Sequence, residues 1–276
     1  MTDRIRVLTN AGFTFPVTDE GPIDGEIVVL LHGFPQTSKS WTPVCERLHG
    51  HGYRTVTFDQ RGYAPTARPR GRFAYRISEL VADVAALIGA IGEPVHLVGH
   101  DWGAQVAWTT AARHPELLAS LTAVSVPHPR AFLGSLVSSS QPLKSYYMAL
   151  FQLPWLPEAL LDRYPKLVDR LLGDSGMDAD ALRRVHEDVI ATGAMGTAIN
   201  WYRAIPFSTP RYLGRVAVPT TYLWSTGDVA LGSRCAELCE HYVTGPYRFE
   251  VTGGSHWLPE EQPDLVADLV VDRVKG

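Results

Sequence analysis

Five consecutive residues, Gly99-His100-Asp101-Trp102-Gly103, restrict what this chain can fold into more than any other feature of it. They sit where a short aliphatic run at 94–98, read as a buried strand, gives way to a helical stretch at 103–113. A turn this tight brings the strand and helix backbones close together, which is why it takes a glycine on each side of the central residue. It also lifts the central side chain to the top of a sheet at a helix N-terminus, where partial positive charge favours an anion. The central residue is Asp101, and no G-x-S-x-G pattern occurs elsewhere. An aspartate at such a turn can simply cap the helix. Its placement between strand and helix, after an earlier glycine turn at His32-Gly33-Phe34-Pro35, points instead to a carboxylate nucleophile.

The surrounding pattern fits a sheet enzyme. Segments 4–8 and 12–17 read as an antiparallel hairpin, 26–31, 54–58, 94–98 and 118–126 as strands, and 38–49, Ile77–Ile91 and 103–113 as helices. Alternation of this kind predicts a mostly parallel sheet with helices on both faces. From 127 to 213 it stops, and the chain is helical and apolar, interrupted by Pro and Gly. It resumes with strands at 220–224 and 247–251 and helices at 232–242 and 263–274. The reading is one core domain, 1–127 with 214–276, and a helical cap, 128–213, inserted between two strands. At 276 residues, 45% hydrophobic and 20% charged with a net charge of −4, the chain has material for a sizeable core. It offers no basic patch for nucleic acid and no run long enough to span a membrane. Without a signal-peptide pattern the expected location is cytoplasmic, and Cys45, Cys235 and Cys239 are expected to be buried thiols.

A nucleophile on such a sheet is served by an acid and then a histidine, in that chain order. Between Leu117 and Pro157 there is no Asp or Glu, which removes the first strand end after Asp101 from consideration. Asp228 follows the next strand directly, and the last strand runs into Gly253-Gly254-Ser255-His256-Trp257. Asp228 is therefore the expected acid and His256 the expected base, with His100 and His128 as rivals that do not follow the last strand. Backbone N–H groups of Phe34 and Trp102 are the expected oxyanion donors. His32, at a strand end, is expected to be structural.

Taken together, HGFP, DQRGY at 59–63, GHDWG, the Asp after the following strand and GGSHW resemble the epoxide hydrolase and haloalkane dehalogenase branch of the α/β-hydrolases, in order along the whole chain. The resemblance implies the α/β-hydrolase fold and an alkyl ester on Asp101 that water, activated by His256, later cleaves. Cap segments around Tyr147 and Tyr202 are similar to those that carry the paired ring-opening tyrosines of epoxide hydrolases, with Tyr146 as the register alternative to Tyr147. Position 34 is Phe where haloalkane dehalogenases often have Asn. Position 102 is Trp where fluoroacetate dehalogenases have Arg. The expected reaction is thus water addition to a small apolar epoxide, giving a vicinal diol. A haloalkane dehalogenase and a non-catalytic binding protein of the same fold are the alternatives. No metal or organic cofactor, nucleic acid or membrane partner is expected, and the oligomeric state, a homodimer included, is left open.

Overall fold

The computed structural model describes residues 3–208 and 214–276. Its centre is an eight-stranded sheet formed by β1 (Val7–Asn10), β2 (Phe13–Glu20), β3 (Ile27–Leu31), β4 (Arg54–Phe58), β5 (Val95–His100), β6 (Leu118–Val124), β7 (Thr220–Ser225) and β8 (Tyr247–Thr252), in the order β1-β2-β4-β3-β5-β6-β7-β8. The first two strands run antiparallel to each other, β2 is antiparallel to β4, and every pairing from β4 to β8 is parallel. Alternating with the strands are α1 (Thr42–Gly50), α2 (Ile77–Ile91) and α3 (Trp102–Arg113). Between β6 and β7 come α4 (Pro129–Ser138), α5 (Gln141–Lys144), α6 (Tyr146–Phe151), α7 (Leu156–Arg163), α8 (Pro165–Asp174), α9 (Ala179–Arg184), α10 (Ala194–Ala198) and α11 (Asn200–Arg203). The chain closes with α12 (Ser233–Glu237), α13 (Leu258–Glu261) and α14 (Pro263–Lys275).

The two-residue period of a strand explains the layering. All five residues of β3 are buried, but they serve two cores. Val28 and Leu30 join Trp41, Val44, Leu48, Val266 and Val270 on the face covered by α1 and α14. Val29 and Leu31 point to the opposite face, into a cluster with Val84 and Leu87 of α2, Val106 and Trp108 of α3 and Trp201 of the insertion. A strand covered on both faces must be apolar throughout, as Ile27–Leu31 is.

Several element boundaries differ from the sequence expectation. The hairpin turns at Ala11 and Gly12, both with positive φ (50° and 80°), a pair that suits a tight two-residue turn between twisted strands. β2 then runs on to Glu20 because it also pairs with β4. Segment 38–49 is not one helix: a single 3-10 turn at Ser38–Trp41 precedes α1, whose first turn holds Pro43. Segment 232–242 is likewise split into α12 and a 3-10 turn at Leu238–Tyr242. Helices α4 to α11 occupy the chain between β6 and β7, and the expected end of the cap at 213 lies outside the described residues.

At the buried β2–β4 edge, Arg54 donates to Asp19 through Nε at 2.8 Å and through Nη2 at 2.6 Å. Both side chains are almost wholly out of water. Asp19→Ala strands a buried guanidinium and is expected to cost about 3–5 kcal/mol, read from the midpoint of urea unfolding.

Candidate active site

The first structural requirement is the turn from β5 into α3. Asp101 adopts φ 50° and ψ −120°, a backbone conformation that costs a non-glycine residue strain. The approach of the backbones is close enough that a Cβ on Gly103 would meet the carbonyl of Leu31, and one on Gly99 the carbonyl of Gly103. Gly33, at the end of β3, is equally constrained, because a Cβ there would run into the Asp101 side chain. The glycines are thus the physical condition for a carboxylate at this point.

Around that carboxylate the C-terminal ends of β3, β5, β7 and β8 converge. The Phe34 N–H donates to Asp101 Oδ1 at 2.7 Å. Trp102, the next residue, opens α3, and the Phe34–Pro35 peptide bond is cis. His256 Nε2 lies 3.4 Å from Asp101 Oδ2, and His256 Nδ1 lies 2.7 Å from Asp228 Oδ2. The other Asp228 oxygen accepts the N–H groups of Ala230 at 2.8 Å and Leu231 at 2.9 Å. Asp101, Asp228 and His256, which lie far apart along the chain, are therefore one hydrogen-bonded and ion-paired string.

Burial pushes the His256 imidazole down, but the flanking carboxylates of Asp228 and Asp101 outweigh it and hold its pKa up at about 10. Asp101 shows the reciprocal effect. Burial raises its carboxyl, while His256, His100 and the Phe34 N–H bring it below the usual carboxylate value. In the resting protein the string is thus a cation between two anions. Because the folded-state value of His256 lies above that of a free imidazole near 6.5, this charge adds stability below that pH. The contribution is lost as pH rises toward 10.

The rival histidines are occupied elsewhere. His100 is buried, and its Nε2 bonds the main-chain carbonyl of His256 at 2.9 Å. Burial drives its pKa down to about 4. His128 caps α4 by accepting the Arg130 N–H, with its Nε2 on the Gly214 carbonyl. His32 is structural in the expected sense, accepting the Gln60 N–H at 3.0 Å. All three cysteines are buried and free.

Motif reading did not find the groups that hold the His256 loop. Ser125 Oγ donates to the His256 carbonyl at 2.8 Å, and Ser225 Oγ to the Ser255 carbonyl at 2.5 Å. With His100, these side chains at the ends of β5, β6 and β7 grip the histidine's main chain. Ser125 has φ 66°, a signal visible only in the folded backbone. Lys144 Nζ reaches the Asp228 carbonyl at 3.1 Å and ties α5 to the acid loop.

A cavity of about 330 Å³ opens over Asp101 and His256. Its walls are mostly apolar, with Trp201, Phe132, Leu133 and Met148 among them. Tyr147 and Tyr202 both line it, with ring centroids 5.9 Å apart in an edge-to-face arrangement. Burial, and after it the nearby carboxylate charges, raise the pKa of Tyr147, so the phenol keeps its proton. Tyr202 is raised well above the ordinary value by burial, then by Tyr147 and Asp101. Tyr146, the register alternative, is 64% exposed and does not line the cavity. Among the described residues no group of three His, Cys, Asp or Glu side chains could hold a metal, and no helix is long and apolar enough to cross a membrane.

The alpha/beta hydrolase fold family matches residues 26–263. Epoxide hydrolase 3 of Xenopus tropicalis is 33% identical over 281 residues, covering 97% of this chain and 76% of that one. The chain belongs to the epoxide hydrolases of the α/β-hydrolase fold. Another relative in this fold family, the AB hydrolase superfamily protein YfhM of Bacillus subtilis, is 35% identical over 277 residues and 96% of each chain. Among solved epoxide hydrolases, epoxide hydrolase A from Mycobacterium thermoresistibile superimposes with a TM-score of 0.84 at 27% identity, covering 98% of both chains.

Asp101→Asn removes one of the two charges on His256. The His256 pKa is expected to fall by about 1–3 pH units, measured by NMR titration of the ring nitrogens.

Proposed function

We propose that this protein adds water to epoxides, giving vicinal diols, through an ester on Asp101. The observation that carries the reading is the set of groups that one apolar cavity brings together. The turn from β5 into α3 supplies an ionised carboxylate within reach of an imidazole, and the helical insertion supplies two phenols that keep their protons. A carboxylate needs no base to attack carbon. As Asp101 bonds to a ring carbon, the C–O bond breaks and its electron pair goes to the epoxide oxygen. That oxygen takes a proton from Tyr147 or Tyr202. Supplying the nucleophile from the sheet and the acids from the insertion suits the opening of a three-membered ring, in which attack and departure occur on opposite sides of the carbon.

The electrostatics of His256 order the two steps. While Asp101 is charged, the imidazole is held as a cation and cannot take a proton from water. Esterification neutralises Asp101 and removes its contribution, leaving burial opposed by Asp228 alone. The imidazole then loses its proton more readily and becomes the base for water attack on the ester carbonyl. The N–H groups of Phe34 and Trp102 stabilise the resulting oxyanion, and Asp228 orients the ring and offsets its returning charge. The helical insertion acts as the cap, carrying both phenols and shielding the ester from bulk water.

A halide leaving group would call for N–H donors in the cavity. Trp201 on its wall spends its indole N–H on the Arg61 carbonyl at 2.8 Å, Trp102 beside the nucleophile serves either leaving group, and Tyr147 and Tyr202 add two protonated hydroxyls suited to an alkoxide. This favours epoxide over haloalkane.

Incubation of His256→Gln with styrene oxide is expected to leave an intact-mass increase of one substrate molecule, located on Asp101 by peptide mapping. An unmodified Asp101 in a protein that still consumes epoxide would refute the ester. The double substitution Tyr147→Phe with Tyr202→Phe is expected to slow alkylation by at least about 100-fold in single-turnover experiments. Each single substitution retains part of the rate, since one hydroxyl partly replaces the other.

A further inference from the structure

The cavity is not uniformly apolar. Apart from the reacting groups and Trp102, its polar side chains are Gln105, Thr109 and Ser208. Gln105 and Thr109 are four residues apart along α3 and so share one stripe of it, and both line the cavity with Asp101, the residue just before the helix. Gln105 lies about 6 Å along the helix from the nucleophile and Thr109 about 12 Å. The Thr109 hydroxyl is used internally, donating to the Gln105 carbonyl at 2.7 Å. Ser208 Oγ receives the Ile77 N–H at 3.4 Å and sits 3.5 Å from the Ala204 carbonyl. The Gln105 main chain is engaged, its N–H on the Asp101 carbonyl at 3.1 Å. Its side-chain amide has no hydrogen-bond partner among the described residues, and it lines the cavity.

An unpaired amide on an apolar wall discriminates between ligands. A purely hydrocarbon substrate filling the cavity strips water from the amide and leaves it unsatisfied, at a cost in binding. A substrate with an oxygen at that height replaces the water and avoids the cost. We infer that Gln105 selects epoxides bearing an ether, hydroxyl or carbonyl oxygen close to the ring, within reach of an amide about one helical turn beyond Asp101. This rests on the epoxide reading above and narrows the substrate class within it.

The test uses phenyl glycidyl ether and 1,2-epoxy-4-phenylbutane, which differ by exchange of one oxygen for a methylene. For the wild-type protein, kcat/KM for the ether is expected to exceed that for the carbon isostere. For Gln105→Met, which preserves length and helix preference, the ratio is expected to fall about tenfold. Comparing ratios between the two proteins cancels the intrinsic reactivity of the epoxides. As a check needing no variant, 3-phenoxypropane-1,2-diol is expected to inhibit the wild-type protein at about tenfold lower concentration than 4-phenylbutane-1,2-diol. An unchanged ratio in Gln105→Met, or equal inhibition by the two diols, overturns the assignment of Gln105 while epoxide turnover stands. Failure of the wild-type protein to open either epoxide overturns the reaction itself, and this inference with it.

Discussion

The whole arrangement depends on one backbone constraint, the sharp passage from β5 into α3 at Asp101. With φ at 50° the residue is held in a conformation it would leave if the surroundings allowed. They do not, because β3 packs against the first turn of α3 with only glycine hydrogens between the chains. The strain points the carboxylate away from both elements and into the space above the sheet. The Phe34 N–H from the end of β3 reaches the same point. Nucleophile and hydrogen-bond donor are thus positioned by the same contact between two neighbouring parallel strands, not by loops that must find each other.

Charge organises the next layer. Three ionisable groups lie in a row, His256 and Asp228 buried and Asp101 mostly so, a costly arrangement unless each charge is compensated. Two carboxylates share one imidazolium, and Asp228 is further satisfied by two main-chain N–H groups. In the proposed reaction this makes the state of the histidine depend on that of the nucleophile. A single change of charge on Asp101 converts the ring from a counter-ion into a base. The order of the steps then needs no moving part.

The helical insertion completes the site by attachment at several points instead of one hinge. Trp201 bonds to the Arg61 carbonyl, Lys144 to the Asp228 carbonyl, and Trp257 to Ser175 at 2.9 Å. Arg184 pairs with Glu260 at 2.5 Å, and Glu260 also receives Gln36 from the loop after β3. These bonds lock the wall that carries Tyr147 and Tyr202 to the same loops that carry the carboxylate and the histidine. Distances across the cavity are therefore set by the packed core.

Strand order along the chain, the glycine-flanked aspartate and the succession of acid and histidine were legible because each is local. A strand buried on both faces must be continuously apolar, as at Ile27–Leu31, and a turn this tight must have glycine, as at Gly99 and Gly103. Boundaries such as the split at Ser38–Trp41 and the short α12 were not, since they depend on how neighbouring elements pack. Nor were Ser125, Ser225 and Gln105: small or ordinary polar residues carry no pattern, and their partners lie far away in sequence or, for the Gln105 amide, are not found among the described residues. The sequence by itself determined which groups have the chemistry, since nucleophilicity and proton affinity belong to side-chain type. Only the tertiary structure decided their states and aim, because burial, shared charges and the direction of a side chain arise when distant segments meet.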